Sequence, residues 1–116
     1  MALTLNTDTL RAAYAFLSET PPFSKWNLPD ADDVEFRVVR DRGRFGWYRF
    51  DGTKHVVAIS TSCVGHTDTL IRTMAHEMIH VHEEHSGSCS RSDHGPAFRR
   101  WAAQVCQVHG FDPRAF

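Results

Sequence analysis

From Thr67 to about Glu84 the chain runs without a glycine or proline, and its apolar residues recur at helical rather than strand spacing. Thr67 or Asp68 is the expected cap. On a helical projection Leu70, Met74, Ala75, Met78, Ile79 and Val81 cover about half of the circumference. A face that wide has to be buried against other elements, so this helix is expected to anchor the fold. His76, Glu77 and His80 fall at the border of the apolar arc rather than opposite it. That is where a cleft between helix and sheet would open.

The remaining elements read around this one. A first helix is expected after Asn6 or Thr7, with Asp8 in its first turn and Leu10, Ala13, Tyr14 and Leu17 on its buried side. Pro21-Pro22 ends it. Pro21 to Asp33 reads as an irregular connection pinned by Phe23, Trp26 and Leu28. Three strands follow: Val34–Arg40, a turn at Asp41-Arg42-Gly43, Arg44–Phe50, a hairpin turn at Asp51-Gly52, and His55–Ser60. Successive short turns predict a three-stranded antiparallel meander. Ser86 to Asp93 is a polar loop. A last helix starts at Pro96 and closes at Gly110, with Phe98, Trp101, Ala102, Val105, Val108 and His109 on one side. The expectation is a single α+β domain over residues 1–116.

Composition narrows the class. With 116 residues, 41% hydrophobic and 11% aromatic, the chain can fill one core and is not a disordered segment. No stretch reaches the roughly 18 apolar residues of a membrane span, and Met1 to Leu10 lacks the features of a signal peptide. Three cysteines (Cys63, Cys89, Cys106) without a CxxC pair speak against a disulfide framework, and a reducing cytoplasm is the expected compartment. A net charge of −1 is not that of a dedicated nucleic-acid binder.

His76-Glu77-Met78-Ile79-His80 is an HExxH pattern. Residues four apart share a helix face, so both imidazoles can reach one ion. Neutral imidazole suits zinc, and the glutamate beside the first histidine can take a proton from water. A catalytic zinc needs a third protein ligand and one open position. His94, in Asp93-His94-Gly95-Pro96, is the better candidate, because the loop can turn the chain back and Pro96 fixes where the last helix begins. His85 and His82 fall toward the apolar side, and Cys89 could approach as a thiolate but reads as an ordinary loop residue. Asp93 could orient a ligand ring. Tyr48, His55, His66 and the arginines are candidate donors to a developing oxyanion.

The run Ile59-Ser60, then DTLIRTMAHEMIHVH from Asp68 to His82, then HGPAF from His94 to Phe98, resembles the SprT-like or Spartan family of zinc metallopeptidase domains. The resemblance implies a zincin-like fold, one zinc ion held by His76, His80 and His94, and Glu77 as general base. It also implies protein substrates, including proteins crosslinked to or sitting on DNA. The 116 residues hold no four-cysteine zinc ribbon such as many members carry, so a minimal form of the domain is expected.

Two other functions fit parts of the sequence. Arg37, Arg40, Arg42, Arg44 and Arg49, interleaved with Phe45, Trp47 and Tyr48, can contact phosphates and stack on the bases of single-stranded DNA. The alternative reading of that stretch is a solvated hairpin whose aromatics serve the core. An inactive zinc-binding interaction protein is the other possibility, and Glu77 speaks against it, since a structural site needs no general base and is closed by four protein ligands.

Overall fold

The computed structural model describes residues 4–87 and 94–116. Cys89, Asp93 and most of the predicted polar loop lie outside the described residues. The elements are α1 (Thr7–Ser18), β1 (Val34–Val39), β2 (Gly46–Phe50), β3 (His55–Ser60), α2 (Thr67–His85) and α3 (Pro96–His109), with short 3-10 turns at Phe23–Lys25 and Ala31–Asp33.

Asn6 caps α1, its side-chain oxygen accepting from the Thr9 amide at 2.8 Å. The buried side of α1 is Leu10, Ala13, Tyr14 and Leu17, as the spacing predicts. The connection after Pro21-Pro22 is held more firmly than a plain loop. Phe23 is fully buried against Trp26, and the Tyr14 hydroxyl donates to the Pro29 carbonyl at 2.6 Å. Burial of that phenol, reinforced by the charges of Asp30 and Asp33, raises its pKa far above the usual tyrosine value.

The sheet corrects the expected meander. Its order is β1-β3-β2, with β1 parallel to β3 and β2 antiparallel to β3. The reason lies in β3, where Val56, Val57, Ala58 and Ile59 are all fully buried, so that both faces of the strand are covered. A strand apolar on both faces belongs in the centre. Glu35 and Arg37 on β1 and Arg49 on β2 need water on one side, and these strands take the edges. The Asp41-Arg42-Gly43 turn does form, the Asp41 carboxylate accepting from the Gly43 amide at 2.8 Å. It leads the chain around the end of β3 instead of back along β1. Ser60 fastens that detour: its amide donates to the Phe45 carbonyl and its hydroxyl oxygen accepts from the Asp41 amide. The Asp51-Gly52 hairpin between β2 and β3 is as expected, with Gly52 at φ 96°.

Register and alternation put Phe36, Val57 and Tyr48 on one face of the sheet, beneath the helices. The other face carries Arg37, Ala58 and Trp47 in one row and Glu35, Val56 and Arg49 in the next. α2 packs against α1, α3, β2 and β3 at once. Its cap is His66, not Thr67 or Asp68; the His66 side chain makes no capping bond, and the Asp68 carboxylate accepts from the Thr69 amide at 2.8 Å from within the first turn. Pro96 opens α3 and Gly110, at φ 77°, closes it. Val108 is 49% exposed and does not join the buried side, because it lies at the margin of an arc centred on Phe98 and Val105.

Gly46 is where the sheet meets α2. A Cβ there would lie 2.6 Å from the Ala58 carbonyl oxygen and 3.3 Å from Thr73 Cγ2. Gly46→Ala is expected to cost about 1–3 kcal/mol through overpacking, seen as a lower urea midpoint with an unchanged slope.

Candidate metal centre

His76 and His80 stand one turn apart on α2, with ring centroids 5.4 Å apart. His94 immediately precedes Gly95 and the start of α3, and its ring lies 5.0 Å from that of His76 and 5.2 Å from that of His80. One ligand nitrogen from each of the three rings falls within 4.8 Å of the others. The Nε2 atoms of His76 and His94 are 3.1 Å apart. Phe98, on the first turn of α3, packs against all three imidazoles. The Pro96 start and the burial of Phe98 therefore carry His94 to the face of α2.

Two of the rings are held through their other nitrogen. His80 Nδ1 donates to Glu83 Oε1 at 3.1 Å, and Glu83 is only 4% exposed. His76 Nδ1 donates to the main-chain oxygen of Phe116 at 2.9 Å. A neutral imidazole that donates from Nδ1 presents a lone pair at Nε2. Nitrogen atoms sharing a tetrahedral zinc at about 2.0–2.1 Å stand roughly 3.3 Å apart, close to the observed His76–His94 separation. The donor set fits a borderline divalent cation such as zinc.

A cavity of about 400 Å³ opens beside the triad, between α2 and β2. Glu77, 5% exposed, lines it together with Thr73, Arg72, Gly46, Tyr48 and Phe116. The Tyr48 ring lies parallel to that of His80, 6.2 Å away, and its hydroxyl is 2.6 Å from His55 Nδ1. Of the candidate oxyanion donors, Tyr48, Arg44 and Arg72 line the cavity. His55 stands behind Tyr48, its pKa lowered first by burial and then by His85. His66 sits at the start of α2 and is not among the lining residues.

His82 and His109 serve packing. His82 is stacked on Trp26 at 4.3 Å and meets Trp101 edge-on at 4.5 Å, while its buried Nδ1 has no hydrogen-bond partner among the described residues. Burial, then His85, holds its pKa below the usual value. His85 is exposed at the end of α2 and faces His55, away from the triad. Cys106 is buried, which raises its thiol pKa, with Asp112 adding to the effect. Glu83 and Phe116 were not singled out from sequence. The spacing of three between His80 and Glu83 would have revealed the first, whereas no local signal marks the second.

The basic and aromatic residues of the strands do not share one surface. Arg37 pairs with Glu35, Arg44 pairs with Asp41 at 2.8 Å, and Arg49 lies over the Trp47 ring. Trp47 is on the open face of the sheet and Tyr48 is on the helix side. Arg40 and Arg42 are exposed at the turn between them and make no ion pair among the described residues.

Among the described residues no helix is long and apolar enough to cross a membrane. No curated protein matches the chain. The sequence profile of the SprT-like family, a metallopeptidase-like domain, matches residues 14–115. That match takes in the sheet, all of α2 and α3, and all but the first turns of α1, and the chain belongs to the SprT-like family.

Proposed function

We propose that the protein is a zinc-dependent metallopeptidase that hydrolyses peptide bonds of protein substrates. The observation that carries this reading is the convergence of His76, His80 and His94 beside the buried carboxylate of Glu77 in an open cavity. Bound there, zinc supplies Lewis-acid stabilisation of the charge that develops on a scissile carbonyl oxygen. Glu77 accepts a proton from the attacking water as the new carbon–oxygen bond forms. It returns that proton to the amine as the carbon–nitrogen bond breaks. Tyr48, Arg44 and Arg72 are the donors available for the oxyanion. β2 is an edge strand beside the cavity, so an extended substrate can pair with its outer main-chain groups.

Three histidines leave a position open, and a carboxylate stands next to them. Both features favour hydrolysis over a purely structural or inactive centre. A reducing compartment such as the cytoplasm suits the free thiols of Cys63 and Cys106.

A second reading extends the first: the exposed arginines at the β1–β2 turn hold single-stranded DNA, and proteins on DNA are then a substrate class. Arg40 and Arg42 favour it, being exposed and outside the ion pairs that occupy Arg37 and Arg44.

Glu77→Gln is expected to retain one zinc per chain while lowering casein cleavage at least about 100-fold, the scale of a lost general base. Undiminished cleavage would remove Glu77 from the chemistry. For His94→Ala, metal analysis after dialysis should give well under one zinc per chain, and full retention would defeat its assignment as a ligand. In fluorescence anisotropy with an oligothymidylate, binding should weaken with added salt and weaken again in Arg40→Ala/Arg42→Ala. Equal binding by the double variant would count against the nucleic-acid surface.

A further inference from the structure

Resting on the metallopeptidase reading, we propose that the segment Phe111–Phe116, beyond α3, is a positioning strap of the metal centre, and that Phe116 sets the tautomer and orientation of His76. The segment leaves α3 at Gly110, whose positive φ turns the chain back toward α2. A tight turn follows. The Asp112 carboxylate accepts from the Arg114 amide at 2.9 Å, and the Ala115 amide donates to the Asp112 carbonyl at 3.0 Å. Phe116 is thereby delivered to the cavity wall, its main-chain oxygen 2.9 Å from His76 Nδ1 and its ring 5.3 Å from the imidazole.

Stacked rings hold the strap down. Phe116 stacks on Phe111 at 5.7 Å, and Phe111 stacks on His109 at 5.6 Å. His109 Nε2 in turn donates to the Pro21 carbonyl at 2.9 Å. This row fastens the segment to the connection after α1, so its place is set by tertiary packing and not by α2 itself.

The chemistry follows from the acceptor. A main-chain oxygen, carbonyl or carboxylate, only accepts, so the proton of neutral His76 must sit on Nδ1, leaving the Nε2 lone pair directed at His94 Nε2. An imidazole in water favours the opposite tautomer, which cannot ligate through Nε2. His80 receives the same treatment from Glu83, but that partner lies on its own helix. The two α2 ligands are thus fixed by independent means, one intrahelical and one supplied by the strap. Outer partners of this kind typically change metal affinity by about 10- to 100-fold when removed.

The test uses the full chain with Phe116→Ala, Phe111→Ala and the conservative Phe116→Tyr. Zinc affinity is read by competition with a chromophoric chelator, and imidazole tautomers by long-range proton–nitrogen NMR of the metal-free protein. The unaltered protein should show Nδ1–H at both His76 and His80. Phe116→Ala, and more weakly Phe111→Ala, should bind zinc about 10- to 100-fold less tightly, with the His76 signature lost and that of His80 kept. Phe116→Tyr should restore both. An Nε2–H signature at His76 in the unaltered protein overturns the strap without reference to any variant. Unchanged zinc affinity and an unchanged His76 tautomer in Phe116→Ala overturn it while leaving the metal centre standing. Failure of the unaltered protein to bind zinc overturns centre and strap together.

Discussion

The burial of the apolar arc of α2 against the sheet and the other two helices is the constraint on which the rest depends. Met74, Met78, Ile79 and Val81 are fully buried, so the helix cannot turn about its axis without exposing one of them. That rotation in turn fixes where His76, Glu77 and His80 point. A helix held on one side only could roll, and a roll of one residue would shift every ligand by about 100°. Site geometry here is a by-product of core packing, and substitutions in the arc are felt at the site through rotation as well as through lost burial.

Much of this was legible in the sequence, for identifiable reasons. Helical period, proline and glycine punctuation and the HExxH spacing are local signals. They gave α1, α2 and α3 and brought His76, Glu77 and His80 together. His94 was reached through the Gly95-Pro96 start of α3, again a local signal. The strand order was not legible, because short turns suggest neighbours while pairing is decided by which strand can tolerate burial on both faces. HVVAIS carried that information as a continuous apolar run, and the turn at Asp41 outweighed it. The start of α2 at Thr67 is as the sequence predicts, but its cap is not Thr67 or Asp68. Thr67 and Asp68 have capping side chains, yet the extended residue at the helix entry is His66, and Asp68 bonds the Thr69 amide from inside the first turn. Phe116 was invisible because its role depends on where a turn from a distant element returns.

Electrostatics divides the histidines by neighbourhood more than by sequence. His55 and His82 are desolvated and lie close to His85, conditions that keep an imidazole neutral. The three clustered rings instead share a concave, partly open site, where Glu83 supports one of them. His82, His55 and His109 are turned into aromatic contacts with Trp26, Trp101, Phe50 and Phe111, which keeps their nitrogen donors away from the cluster.

The outer edge of β2 has an implication for self-association. An edge strand offers its outer amides and carbonyls to any extended chain, including the same strand of another molecule. Exposed Phe45 and Phe50 at its two ends would add apolar contact to such a pairing. Arg49 lies on the same strand, so two molecules meeting there bring like charges together. The brevity of the strand and those guanidinium groups work as a solubility guard, and the guard weakens as salt rises.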